Sequence, residues 1–350
     1  MASEELSRRE RRVLEAVIRT YVETAEPAGS RTLSRRFGLG VSPATIRNTM
    51  SDLEEKGFLF HPHTSAGRVP TNKAYRAYVD GLLGLPPVRA SEAERLAEEF
   101  ATSASASPIE TILRRAAQTL GVLTQELGVA LGPRLDHSIL RRLELVRVSS
   151  ERLLMVLTLE GGVVRTVFVE VAGEIADSAL TEVTTVLNER LAGLPLSQIR
   201  SSLASRLRDT GADRSAAELL NIFVQEGEQL FEAALPIGDE HQVVLGAASV
   251  LAEQPEFSGA DRLRRLMALT ETPRALGEAI RKRSQAPGIS ITIGSEHDDP
   301  RLEDFTVVTS EYRVGTLTGV IGVIGPTRMP YEKVISLVSH TSQLLSDLLD

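Results

Sequence analysis

The chain has 350 residues, 42% hydrophobic and 25% charged, with neither cysteine nor tryptophan, which fits a soluble globular protein of two or three domains and excludes disulfide scaffolds, thiolate metal centres, iron–sulfur clusters and thiol catalysis. Aromatics at 4% leave little for base-stacking platforms; no apolar run approaches the ~18 residues that span a bilayer, and the charged start lacks the apolar segment of a signal peptide, so a cytoplasmic location with no membrane partner is expected. The net charge of −8 is uneven: residues 1–84 hold 13 basic and 10 acidic side chains and the remainder 26 and 37, which confines any polyanion contact to the N-terminal head.

The head is predicted to be helices followed by a hairpin. Ser7 with Glu10 forms a capping box ahead of a helical stripe of Val13, Leu14, Val17, Ile18, Tyr21 and Val22. Glu26-Pro27-Ala28-Gly29 stops it, and Ser30 is expected to cap a short second helix that ends at Gly38-Leu39-Gly40. Ser42-Pro43 starts a third helix with Ile46, Met50 and Leu53 on one face, closed by Gly57. Phe58-Leu59-Phe60 and Arg68-Val69, joined through Ser65-Ala66-Gly67, fit a β-hairpin, and Thr71 opens a helix through Tyr75, Tyr78, Val79 and Leu82.

Beyond the head, Leu85-Pro86-Pro87 and the Ser-rich 101–107 mark a linker around a helix at Glu92–Phe100. A periodic helix is expected over Pro108–Leu127, then a meander at Ile139–Val148, Leu153–Leu159 and Val163–Val171. Residues 178–235 read as helical with breaks near Pro195 and Gly211. Strands return at Ile289–Ile293, Phe305–Val314 and Thr318–Ile324 before an amphipathic helix, Tyr331–Leu349. One α/β domain carrying a helical insertion is favoured over two consecutive α+β domains, because each strand group alone is small.

Three short helices and a hairpin, with a glycine turn between the second and third helices, describe a winged helix-turn-helix, whose third helix enters the major groove. Ala44, Thr45, Arg47, Asn48 and Ser51 then face outward. Arg47 has the donors for guanine and Asn48 the pattern for adenine, while Ser42 and Thr45 suit phosphates at the helix N-terminus. Arg31, Arg35 and Arg36 lie on the supporting helix beside the backbone; in the wing, Gly67 is expected to let the tip turn tightly and Arg68 to reach phosphates or the narrow groove, and Lys73 follows it. An ordinary solvated face and a protein-binding winged helix are the alternatives for the same residues.

The segments Ser42-Pro43-Ala44-Thr45-Ile46-Arg47-Asn48 and His63-Thr64-Ser65-Ala66-Gly67-Arg68-Val69-Pro70-Thr71, followed by Tyr75-Arg76 and Tyr78-Val79-Asp80, closely resemble the heat-inducible transcription repressor HrcA family of bacteria. Thr49 stands where an acid is common in that family and Ala74 where glycine is common; neither is assigned a DNA contact. The resemblance implies an α+β multidomain fold: a winged-helix DNA-binding domain (1–84), a linker (85–107), a GAF-like α/β domain (108–192 and 255–350) and an inserted, mostly helical dimerisation domain (193–254). It also implies a dimer that binds an inverted-repeat operator, CIRCE, ahead of chaperone operons. The GroEL chaperonin keeps the repressor active, and heat relieves repression when unfolded clients occupy it. An inverted repeat requires a two-fold protein, and Leu219, Leu220, Ile222, Phe223, Leu230, Phe231 and Leu235 are candidates for its interface, with intradomain core as the other account of them.

No catalytic or cofactor signature is present. The chain has no Gly-Lys dipeptide, no Gly-x-Ser-x-Gly and no His-Glu-x-x-His, and the close pair His61 and His63 lacks a third ligand, so neither an enzyme, a cofactor nor a metal is expected. The alternative function is a winged-helix regulator that senses a small effector through its GAF-like domain.

Overall fold

The computed structural model describes residues 6–349 apart from 64–66, 83–87, 102–108, 134–137, 161–162, 172, 174, 209–213, 235–242, 284–287 and 316. The hairpin turn at Ser65-Ala66, both ends of the expected linker (85–87 and 102–107) and the candidate Leu235 fall outside the described residues. The chain forms two compact units: Met1–Ala130, Val244–Glu311 and Val320–Leu344 make the first; Leu131–Val243, Tyr312–Gly319 and Leu345–Asp350 make the second.

In the head, α1 (Arg8–Thr24) carries the predicted capping box, with Glu10 Oε2 accepting from the Ser7 amide at 2.8 Å. The second helix, α2 (Ser30–Phe37), begins one residue earlier than expected: Gly29 is the cap, and Ser30 is helical and buried. The preceding residue, Ala28, is pinned by paired backbone hydrogen bonds to Arg68, each 2.9 Å, which sets where the chain turns into α2. Gly38 ends α2 in the left-handed conformation, φ 51°, which glycine adopts without steric cost. The third helix, α3 (Pro43–Glu55), is capped by Ser42, whose side chain accepts from the Thr45 amide. The strands β1 (Leu59–Phe60) and β2 (Val69–Pro70) form an antiparallel hairpin, and Thr71 caps α4 (Asn72–Asp80). Val17, Leu33, Ile46, Leu53 and Phe58 close the head's core with no more than 1% exposure.

Glu10 also accepts from Lys56 Nζ at 2.7 Å. That bond, then those from Ser7, lower its pKa from an ordinary 4.5 to about 2. A carboxylate with a depressed folded pKa contributes stability above its unfolded pKa and loses it as pH falls through the folded value. Glu10→Gln is therefore expected to melt below the parent at neutral pH, followed by circular dichroism, with the gap closing as pH falls from 4.5 towards about 2.

The chain continues through α5 (Ala90–Ala101) and α6 (Ile109–Thr124). The helix expected to reach Leu127 stops at Thr124, where Gln125 turns left-handed (φ 63°), and Leu127–Leu131 is instead a fully buried strand, β3. Next come β4 (Leu140–Arg147), β5 (Arg152–Leu159), β6 (Val164–Glu170), α7 (Asp177–Leu191), α8 (Leu196–Leu207) and α9 (Arg214–Ala234). The last stretch holds β7 (Val243–Leu245), α10 (Ser249–Ala252), α11 (Ala260–Glu271), α12 (Pro273–Arg283), β8 (Ile289–Ile293), β9 (Phe305–Val314), β10 (Leu317–Pro326) and α13 (Tyr331–Leu349).

Two larger sheets result. One has five strands in the order β7-β3-β10-β9-β8, and the other is the meander β4-β5-β6. The expected domain of residues 108–192 and 255–350, with an insertion at 193–254, puts both strand groups together; in the structure the meander forms a sheet of its own and packs with α7–α9. The reason lies in its pattern: β5 buries Leu153, Met155, Leu157 and Leu159 alternately, leaving one apolar face that the helices cover in a single core cluster. In that cluster lie Leu219, Leu220, Phe223, Leu230 and Phe231, with Ile222 packed against it. These residues, candidates for an interface between copies with intradomain core as the other account, lie in the second unit's own core cluster. Apolar side chains remain exposed elsewhere in this unit, at Val146, Val164 and Phe168.

In the first unit, α13 is tied to β9 by buried hydroxyl pairs, Thr306 with Tyr331 (3.2 Å) and Ser310 with Ser342 (2.9 Å). Glu126 is 2% exposed, and its burial pushes its pKa well above the usual carboxylate range despite a hydrogen bond from Gln254 Nε2.

Candidate nucleic-acid interface

The helix α3 owes its orientation to a sharply divided surface. Ile46, Thr49, Met50 and Leu53 are buried, while Ala44, Arg47 and Asn48 are exposed and Thr45 and Ser51 half-buried. Burial of large apolar side chains at roughly 1.5–3 kcal/mol each fixes which side faces out. Thr49, one of the two departures from the family pattern, sits on the buried side and donates its hydroxyl to the Thr45 carbonyl at 3.1 Å. Arg47 and Asn48 therefore share one exposed surface near the start of α3. Ser42 and Thr45 stand beside them with their hydroxyls 3.0 Å apart, at the end of the helix where the backbone dipole favours anions.

The basic side chains predicted around this surface fall into two groups. Arg31, Arg35 and Arg47 are exposed and make no ion pair with a described residue. The others are engaged inside the head. Arg36 pairs with Glu23 of α1. Lys73 donates to the Lys56 carbonyl just past the end of α3 (3.0 Å) and lies 4.4 Å over the Phe58 ring, neutralising the negative end of that helix. Arg68, expected to reach phosphates, is only 20% exposed and pairs with Glu54 of α3 at 2.7 Å. His61, the other wing residue on Glu54, contacts the same carboxylate. Arg68 thus ties the wing to α3, a contact that sequence spacing does not disclose.

Gly67 also acts differently from its expected role in a tight turn. Its backbone is not in the left-handed region. A Cβ there would lie 2.4 Å from the Ala28 carbonyl oxygen and 2.6 Å from that of Pro27, so glycine is required for the wing root to approach the turn before α2.

Among the described residues, no group of three or more histidine and acidic side chains is placed to hold a metal ion, and no helix is long and apolar enough to cross a membrane.

Comparison with known proteins places this geometry in a family. Residues 110–335 match the family described as HrcA protein C terminal domain. The heat-inducible transcription repressor HrcA of Chlorobium phaeobacteroides (strain BS1) is 39% identical over 354 residues, covering 99% of this chain and 99% of its own. That of Geobacter sulfurreducens is 38% identical over 347 residues, again covering 99% of each chain. A crystal structure described as that of a hypothetical protein at 2.2 Å resolution shares the fold, with a TM-score of 0.61 at 22% identity, covering 98% of each chain. At such identity over its whole length, the chain belongs to the HrcA family of heat-inducible transcription repressors.

Proposed function

We propose that this protein is a dimeric, sequence-specific DNA-binding repressor of heat-shock operons, whose head is a winged helix-turn-helix. The observation that carries the reading is the exposed surface of α3, where Arg47 and Asn48 face outward while the opposite face is buried, together with Arg31 and Arg35 exposed on α2 and making no ion pair with a described residue. In this reading Arg47 and Asn48 contact base edges, and Ala44 and Ser51 border the same groove. Ser42, Thr45, Arg31 and Arg35 contact the phosphate backbone. Arg36, Arg68 and Lys73 hold the head in shape, from where they add positive potential. The first unit's five-stranded sheet would be the GAF-like domain. The target is the inverted-repeat operator CIRCE of chaperone genes, bound by a homodimer in the cytoplasm and kept active by the GroEL chaperonin. The full-length family match supports this assignment.

A mobility shift with a palindromic chaperone-promoter duplex against scrambled DNA tests the reading, run with and without chaperonin. Operator affinity is expected to fall steeply as salt rises, through counterion release, and the active fraction to rise when chaperonin is present. Arg47→Ala is expected to weaken operator binding by about 1–3 kcal/mol and to relax discrimination at one base pair, with random-duplex binding changed far less. Equal binding of operator and scrambled duplex by the parent protein contradicts the assignment.

A further inference from the structure

Tyr75-Arg76 and Tyr78 stand out in the sequence, yet no DNA contact is assigned to them. We propose that Arg76 is a positioning residue: by locking α4 onto the end of β8 it fixes the orientation in which the first unit's sheet presents the DNA-binding head, and so sets the operator spacing that a dimer accepts. The inference rests on the DNA-binding reading above.

The contact is forked and directional. Arg76 Nε donates to Glu296 Oε1 at 2.7 Å and Nη2 donates to Glu296 Oε2 at 2.5 Å, while Nη2 also reaches the Ile291 carbonyl at 2.6 Å. A guanidinium meets a carboxylate in this way along two parallel bonds, which fix angle as well as distance; a lysine ammonium cannot. The acceptor is held in turn, since the Ile293 amide donates to Glu296 Oε2 at 2.8 Å. On either side of Arg76 along α4, the Tyr75 ring lies 5.7 Å from that of Tyr331, and the Tyr78 hydroxyl donates to Glu332 at 3.0 Å. Arg19 of α1 donates to the same Glu332 oxygen at 2.9 Å.

Apolar burial is non-directional and would let α4 slide or rotate on its support; the forked bond at Arg76 opposes both. Without it the head would remain attached through the chain that follows α4 and through the single bonds from Tyr78 and Arg19 to Glu332, which share one acceptor oxygen and hold its angle less tightly than a fork. A tether supplies local concentration, whereas simultaneous engagement of two half-sites depends on geometry. Each added base pair shifts a half-site by about 3.4 Å and about 35° around the duplex axis, so a fixed head discriminates spacing and a loose one does not.

The test uses the full-length protein, Arg76→Ala, Glu296→Ala and the exchanged pair Arg76→Glu with Glu296→Arg. Each is titrated on a single half-site duplex, on the operator, and on operators with one or two base pairs added between half-sites. Both alanine variants are expected to keep half-site affinity within about twofold, to lose about tenfold or more on the full operator, and to show a smaller penalty for the lengthened spacers. Retained half-site binding certifies a folded head, and the exchanged pair is expected to recover part of the lost operator affinity. If Arg76→Ala keeps both full-operator affinity and spacing discrimination, or weakens half-site and operator equally, the positioning role is overturned while DNA binding stands. If the parent protein shows no preference for the operator over scrambled duplex, the DNA-binding reading fails and this inference with it.

Discussion

Phe223→Ala is expected to destabilise the second unit by about 3–5 kcal/mol, the cost of removing a buried aromatic side chain and leaving a cavity. Phe223 has no exposed surface and sits in the cluster that joins α7–α9 to the three-stranded sheet. Had it been an interface residue, the substitution would dissociate copies of the chain and leave each copy's own melting nearly unchanged. Two measurements separate these outcomes. Hydrogen exchange should rise across peptides from 131–243, and the circular-dichroism transition of that unit should fall in temperature, while sedimentation reports the oligomeric state independently. A shift in sedimentation without faster exchange contradicts the core assignment.

Gly67→Ala is expected to cost the head about 2–4 kcal/mol, combining overpacking with the loss of up to two backbone hydrogen bonds. The obstacle is backbone: the new Cβ would meet the carbonyl oxygens of Ala28 and Pro27, which cannot move aside as a flexible side chain would. Relief requires separating the wing root from the turn before α2, breaking the Ala28–Arg68 pair. Because Arg68 also holds Glu54 of α3 at 2.7 Å, the disturbance reaches the candidate DNA-contacting helix. Operator binding should weaken together with head stability. A Gly67→Ala protein with parent-like melting and operator affinity shows that the wing root tolerates a side chain.

Sequence alone determined most of the head. The capping box at Ser7 and Glu10, the Ser42-Pro43 start of α3, the glycine stop of α2 at Gly38 and the stripe Ile46, Met50 and Leu53 all depend on residues within a turn or two of each other. Such signals survive in the linear chain because the interactions behind them are local. The same locality made Arg47 and Asn48 legible as an exposed pair.

Tertiary structure decided what depends on distant partners. The strands at 140–170 were visible, but nothing in an alternating pattern names its partner sheet, and the meander gathers α7–α9 around itself. The buried strand β3, with no polar alternation, read as the end of a helix until its place between β7 and β10 fixed it. An apolar stripe such as Leu219–Phe231 looks the same whether it meets its own chain or another, because burial carries no record of what does the burying. Charged side chains followed the same rule: Arg68 and Arg76 have identical chemistry in the sequence, and only their neighbours Glu54 and Glu296, brought near by folding, made one a brace for the wing and the other an anchor for the head.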